Sequence, residues 1–167
     1  MDTQKILKGK RILIVDDEED VLAQLVDLLE LSKIDTASCF DKAKDLLESE
    51  DYDIAVLDIM GVRGYDLLEI AKKKGIPSLM LTAHALSQEA LKKSAEKGAS
   101  YYAPKEEMSK IAVFIADVLE AKEKKKNVWV KCFERLGGYY DRKFGGPGWR
   151  QKEREFWQRV LKQKSGL

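Results

Sequence analysis

Short runs without a polar side chain recur along the chain, and each stops abruptly at a residue with chemistry. Ile12-Leu13-Ile14-Val15 closes on Asp16, and Ile54-Ala55-Val56-Leu57 closes on Asp58. Uninterrupted, β-branched runs of this length predict strands buried on both faces. Between them the spacing changes. Val21, Leu22, Leu25, Leu28 and Leu29 recur at helical intervals, as do Ala43, Leu46 and Leu47 within residues 41–50, so each stretch predicts a helix with one apolar face. Residues 34–38 make a short second strand. Gly64 opens a third helix carrying Leu67, Leu68, Ile70 and Ala71, which Gly75 ends. Pro77 leads into a strand at 78–81, residues 87–97 form a helix stopped by Gly98, and residues 100–103 form the fifth strand. A last helix of this series buries Ile111, Val113, Phe114, Ile115, Val118 and Leu119. Five β-α units in strict alternation predict an α/β fold, a parallel sheet with helices on both sides.

The pattern then changes. Residues 122–126 are a charged run, the solvated end of the fifth helix. Beyond it Val128, Trp129, Cys132, Phe133 and Leu136 return to helical spacing. Gly137-Gly138 and the glycine-rich 145–148 are expected to break the chain, with a short turn around Tyr139, Tyr140 and Phe144 between them. Residues 149–164 form a last helix with Phe156, Trp157, Val160 and Leu161 on one face. Charge divides at the same place. Residues 1–121 hold 24 acidic against 16 basic side chains, residues 122–167 hold 5 against 14, and the net +1 conceals this split. The expected organisation is one domain over 1–122 and a basic, aromatic helical extension over 123–167.

Composition narrows the setting. No run of about 18 apolar residues is present, and the polar first ten residues lack the apolar centre of a signal peptide, so a cytoplasmic protein with no membrane span is expected. Cys39 and Cys132 are far apart and without CxxC or histidine companions, which predicts two reduced thiols used for packing. His84, the only histidine, reads as an exposed loop residue.

Ligands of parallel sheets bind beyond the carboxyl ends of the strands. The candidates there are Asp16 and Asp17, Asp58, Thr82 and Lys105. Three crowded carboxylates repel one another and need a cation. Oxygen donors with no His or Cys suit a hard ion such as Mg²⁺. A lysine at the fifth strand could pair with phosphate oxygens and a threonine at the fourth could hydrogen-bond one of them. Together these groups describe a nucleophilic aspartate that becomes an acyl phosphate.

The run ILIVDDEED at 12–20, AVLD ending at Asp58, LMLTAHA containing Thr82, and GASYYAPK ending at Lys105 resemble, as an ordered set, the receiver domains of two-component response regulators. The resemblance covers roughly residues 10–122 and implies a flavodoxin-like, doubly wound fold of five parallel strands and five helices. It further implies Asp58 as phosphoacceptor and Asp16 and Asp17 as Mg²⁺ ligands, joined by Asp58 and the Met60 backbone carbonyl. Thr82 becomes the switch hydroxyl, Lys105 the phosphate-binding lysine and Tyr102 the aromatic that moves with the hydroxyl. The implied partners are a sensor histidine kinase or phosphotransfer protein and an unidentified output protein. The activity is phosphorelay signalling rather than enzymatic turnover, with at most self-dephosphorylation.

Two departures keep an alternative open. The loop from Ile59 to Gly64 is about two residues shorter than in the family and lacks its proline, and Glu106 stands where the family has a cis-proline. A pseudo-receiver acting as a constitutive protein-interaction module is therefore the second reading. A phosphatase of the haloacid-dehalogenase type would want an acid two residues past the nucleophile, where this chain has Met60. For the extension, the aromatic content suggests a docking surface, for a partner, for a second copy as a homodimer, or for the chain's own acidic body. Nucleic acid is disfavoured, since no helix-turn-helix or set of zinc ligands is recognisable.

Overall fold

The computed structural model describes residues 2–83 and 86–163, so His84 lies outside the described residues. Strands β1 (Arg11–Val15), β2 (Lys33–Ala37), β3 (Ile54–Leu57), β4 (Ser78–Thr82) and β5 (Tyr101–Pro104) form one parallel sheet in the order β2-β1-β3-β4-β5. β1, β3 and β4 are buried along almost their whole length, as their apolar runs require. The helices are α1 (Thr3–Leu7), α2 (Glu19–Leu28), α3 (Phe40–Ser49), α4 (Gly64–Lys73), α5 (Gln88–Glu96), α6 (Ile111–Lys124), α7 (Val128–Lys143), α8 (Trp149–Lys152) and α9 (Arg154–Lys162). The chain steps outward from β1 to β2 and then reverses through β3, β4 and β5. Right-handed crossovers therefore put α2 on one face and α3, α4 and α5 on the other. α6 returns to pack against α2. This is the doubly wound, flavodoxin-like architecture, and its strand order reverses between β1 and β3.

Several local expectations change. The polar start forms α1, capped by Asp2, whose carboxylate accepts the Gln4 N–H, and held by the burial of Leu7. Leu28 lies on the open side of α2 and Cys39 is exposed, so neither packs inward. Gly137-Gly138 break nothing. α7 runs through both because its buried face continues from Trp129 and Cys132 to Leu136, Tyr139 and Tyr140, and that packing outweighs the roughly 1 kcal/mol per glycine lost to backbone entropy. The final helix is instead divided at Glu153, and residues 164–167 lie outside the described residues.

The extension lies on the body of the same chain. Lys125, in a left-handed conformation (φ 55°), turns the chain out of α6. Asn127 then caps α7, its side-chain oxygen accepting the N–H groups of Trp129 (2.8 Å) and Val130 (3.2 Å). α7 packs along β5, which would otherwise be an open sheet edge. Trp129 donates its indole N–H to the Ala99 carbonyl (3.2 Å). Arg135 reaches back to Asp117 on α6 (Nη2 to Oδ1, 3.1 Å), and Asp117 also accepts the Tyr101 hydroxyl (3.1 Å). Of the three seats open to the aromatic rings, the chain's own body is the one they occupy here, with Trp129, Tyr140, Trp149 and Trp157 all buried.

Candidate functional site

At the strand reversal the first two acids leave the end of β1 and the third leaves the end of β3. The Asp58 N–H bonds the Val15 carbonyl (3.0 Å) and the Asp16 N–H bonds the Ala37 carbonyl (3.1 Å), so both acids continue the ladder and their positions are fixed by the sheet. Asp16 and Asp58 are buried and Asp17 is exposed. One carboxylate oxygen from each of Asp16, Asp17 and Asp58 falls within 4.8 Å of the others. An all-oxygen donor set of that spacing fits a hard divalent cation.

Lys105 enters from the end of β5. Its ammonium lies 2.8 Å from Asp16 Oδ2, 3.1 Å from Asp58 Oδ2 and 3.3 Å from Glu18 Oε2. Burial by itself would lower the lysine pKa, but the Asp16 hydrogen bond and the charges of Asp58 and Asp16 prevail and raise it, keeping the group cationic. Asp58 behaves oppositely. Burial first, and then the Asp16 charge, push its carboxyl up to about 6 despite Lys105. One ammonium does not balance the acids, and the site favours added positive charge.

Glu18 escaped the sequence reasoning as a third partner of Lys105. It stands 87 residues away in sequence, and acids at a helix start have an ordinary explanation. Asp16 also closes the turn before α2, because its Oδ1 accepts the Glu18 N–H (2.9 Å) while Oδ2 faces Lys105.

The turn after Asp58 is tightly wound. Gly61 has φ 85°, and a Cβ there would fall 2.3 Å from Asp17 Oδ2. Gly64 lies equally close to the chain, where a Cβ would meet the Asp58 carbonyl oxygen at 2.0 Å. Glycine at both positions lets the short loop fold back against two of the site's acids. Met60, within this turn, exposes its side chain.

Thr82 ends β4 and is fully buried; in register it lies beside Pro104, the residue before Lys105. Tyr102 lies further back on β5, opposite Met80, with its ring buried. Its hydroxyl accepts the Ser87 N–H (3.3 Å), tying β5 to the segment between β4 and α5. Asp16, Asp17, Asp58 and Lys105 thus converge at one place, and Thr82 stands on the strand next to β3. Tyr102 points away toward Ser87 and the extension.

A family model described as the response regulator receiver domain matches residues 12–115. The chain belongs to that family. Among solved structures, it is similar to a CheY-like response regulator receiver domain protein from Methanospirillum hungatei, with 30% identity, TM-score 0.64, and coverage of 70% of this chain and 98% of the other. A receiver domain protein from Clostridium thermocellum aligns at 24% identity and TM-score 0.60 over 68% of this chain and 97% of its own. A Burkholderia pseudomallei response regulator, determined with a phosphorylated aspartic acid, a calcium ion and citrate, aligns at 23% identity and TM-score 0.54 over 58% of this chain and 60% of its own. A search of curated proteins returns no match. The receiver match ends inside α6, and α7–α9 lie beyond it. Among the described residues no helix is long and apolar enough to cross a membrane.

Proposed function

We propose that Asp58 accepts a phosphoryl group from a histidine kinase or phosphotransfer protein, with Mg²⁺ held by Asp16, Asp17, Asp58 and the Met60 carbonyl. The observation that carries this reading is the convergence of three carboxylate oxygens within 4.8 Å, with Lys105 beside Asp16 and Asp58. When bound, Mg²⁺ supplies charge neutralisation and orients the phosphoryl group. An Asp58 carboxylate oxygen forms the new bond to phosphorus as the bond from phosphorus to the donor histidine nitrogen breaks. Lys105 leaves its carboxylate partners for the incoming phosphate oxygens, and the Thr82 hydroxyl hydrogen-bonds another of them. The product carries roughly −1.5 to −2 added charge if it resembles other phosphorylated side chains. Tyr102 then passes the change to the surface beyond β5.

Incubation with acetyl phosphate and Mg²⁺ tests the assignment. One phosphoryl mass is expected on the parent chain, none on Asp58→Asn, and loss of the label on chelation of Mg²⁺ beforehand. Equal labelling of both proteins sinks it.

The position of Lys105 also favours a second reading. Its ammonium already bridges Asp16 and Asp58, as suits a pseudo-receiver that works as a constitutive interaction module. Spectra and melting temperature that ignore Mg²⁺ and beryllofluoride together would select it.

A further inference from the structure

Tyr102 is held from two directions. Its hydroxyl takes the N–H of Ser87, in the segment that follows Thr82. Its backbone carbonyl accepts two side chains of α7, the Tyr140 hydroxyl and the Cys132 thiol (3.6 Å), and its ring lies 6.0 Å from the Tyr140 ring. Tyr140 and Cys132 are fully buried, and burial pushes the thiol up to about 12, so both remain neutral donors. Around this junction, ion pairs seat the extension. Arg135 meets Asp117, Lys143 meets Glu106 (3.2 Å), the residue after Lys105, and Glu153 meets Lys92 on α5 (3.0 Å). The surface that would receive a signal from Asp58 through Tyr102 is thus already occupied by part of the same chain.

We infer that α7–α9 are the output partner of this receiver, docked on β5 while Asp58 is unphosphorylated and loosened when it is phosphorylated. The inference rests on Asp58 being the phosphoacceptor. Its direction follows from packing. The hydrogen bonds to the Tyr102 carbonyl and the Tyr102–Tyr140 ring contact are made in the present arrangement, and a close-packed interface does not deform continuously. Any displacement of Tyr102 or of the Ser87 segment therefore weakens contacts that hold α7. Reciprocity follows: what holds α7 down opposes the phosphorylated state, and releasing α7 favours it.

All three tryptophans of the chain, Trp129, Trp149 and Trp157, lie in the extension and are buried, so intrinsic tryptophan fluorescence reports on the extension alone. The full chain with Mg²⁺ and beryllofluoride is expected to show red-shifted tryptophan emission. Amide exchange in peptides covering 128–144 should accelerate about tenfold, within the usual range of such couplings. Asp58→Asn should show neither change. Tyr140→Phe keeps the ring and removes the bond to Tyr102, so beryllofluoride should bind it several-fold more tightly. If exchange changes in peptides containing Met60 or Thr82 while 128–144 is unchanged or slower, the site responds and the inference is overturned. No response anywhere overturns both the inference and the phosphoacceptor assignment.

Discussion

Asp58 titrates near 6 in the folded chain, whereas an aspartate in an unfolded chain titrates near ~3.9. Between those values the native state keeps a proton that the unfolded state has released, so without a divalent cation stability falls as pH rises through this window and stays low above it. Asp58→Asn should therefore be more stable than the parent at pH 8, by about 3 kcal/mol, and about equally stable at pH 4. Melting curves of both proteins across that range check it, and a gap between them that does not widen from pH 4 to pH 8 would contradict it. Gly61 bears on the same site. Gly61→Ala places a methyl group against Asp17 at a positive φ, and a loss of about 1–3 kcal/mol with weaker Mg²⁺ binding is expected, measured by denaturant unfolding and by cation titration. At this scale the site was largely legible in the sequence, because strand-end residues announce themselves by interrupting apolar runs. Glu18 was not legible, because its partner is distant and its type is common at a helix start.

At the scale of elements, the strands β1, β3 and β4 could be read directly, since burial on both faces leaves no polar position to confuse their ends. α7 could not. Two adjacent glycines signal a break, and only the buried face from Trp129 to Tyr140, visible once β5 is in place, explains why the helix continues. The two glycines differ in consequence. A Cβ at Gly138 would meet only the Arg142 guanidinium at an ordinary 3.7 Å, whereas one at Gly137 would press on Arg150 at 2.7 Å. Gly138→Ala should stabilise the chain by about 0.5–1 kcal/mol, seen as a raised melting temperature, while Gly137→Ala should gain less. α1 was illegible for a simpler reason. A five-residue helix with one buried leucine carries too little periodicity to stand out from a polar terminus.

For the molecule as a whole, the division into an acidic body and a basic extension is real in charge but not in packing. Asp117, Tyr101 and the outer side of β5 are covered by Arg135, Trp129 and Tyr140. A chain ending at Lys126 would expose that edge and leave Asp117 without its Arg135 partner, keeping only the Tyr101 hydroxyl. It should unfold at distinctly lower denaturant concentration than the full chain and associate as its concentration rises. Chemical denaturation beside sedimentation of both forms is the measurement, and an unchanged midpoint would show the body to be self-sufficient. Periodicity and composition marked the extension as helical and aromatic, but not its seat, since nothing in a local pattern says which surface an apolar face will meet.

Lys125 shares with Arg63, among the described residues, a left-handed backbone without being glycine. That conformation disfavours an ordinary side chain by roughly 1–2 kcal/mol, and it is what folds α7 back beside α6. Were Lys125 and the extended Asn127 both to take up helical torsions, α6 would run on into α7 as one rod, carrying Trp129 and Tyr140 out of reach of their own β5. The same contacts could then form on the β5 of a second copy, which would return the favour. Lys125→Gly should hold the chain as a monomer and Lys125→Ala should enrich an exchanged pair. The expected consequence is that the linker torsions at Lys125 and Asn127 decide how many chains one fold is shared between.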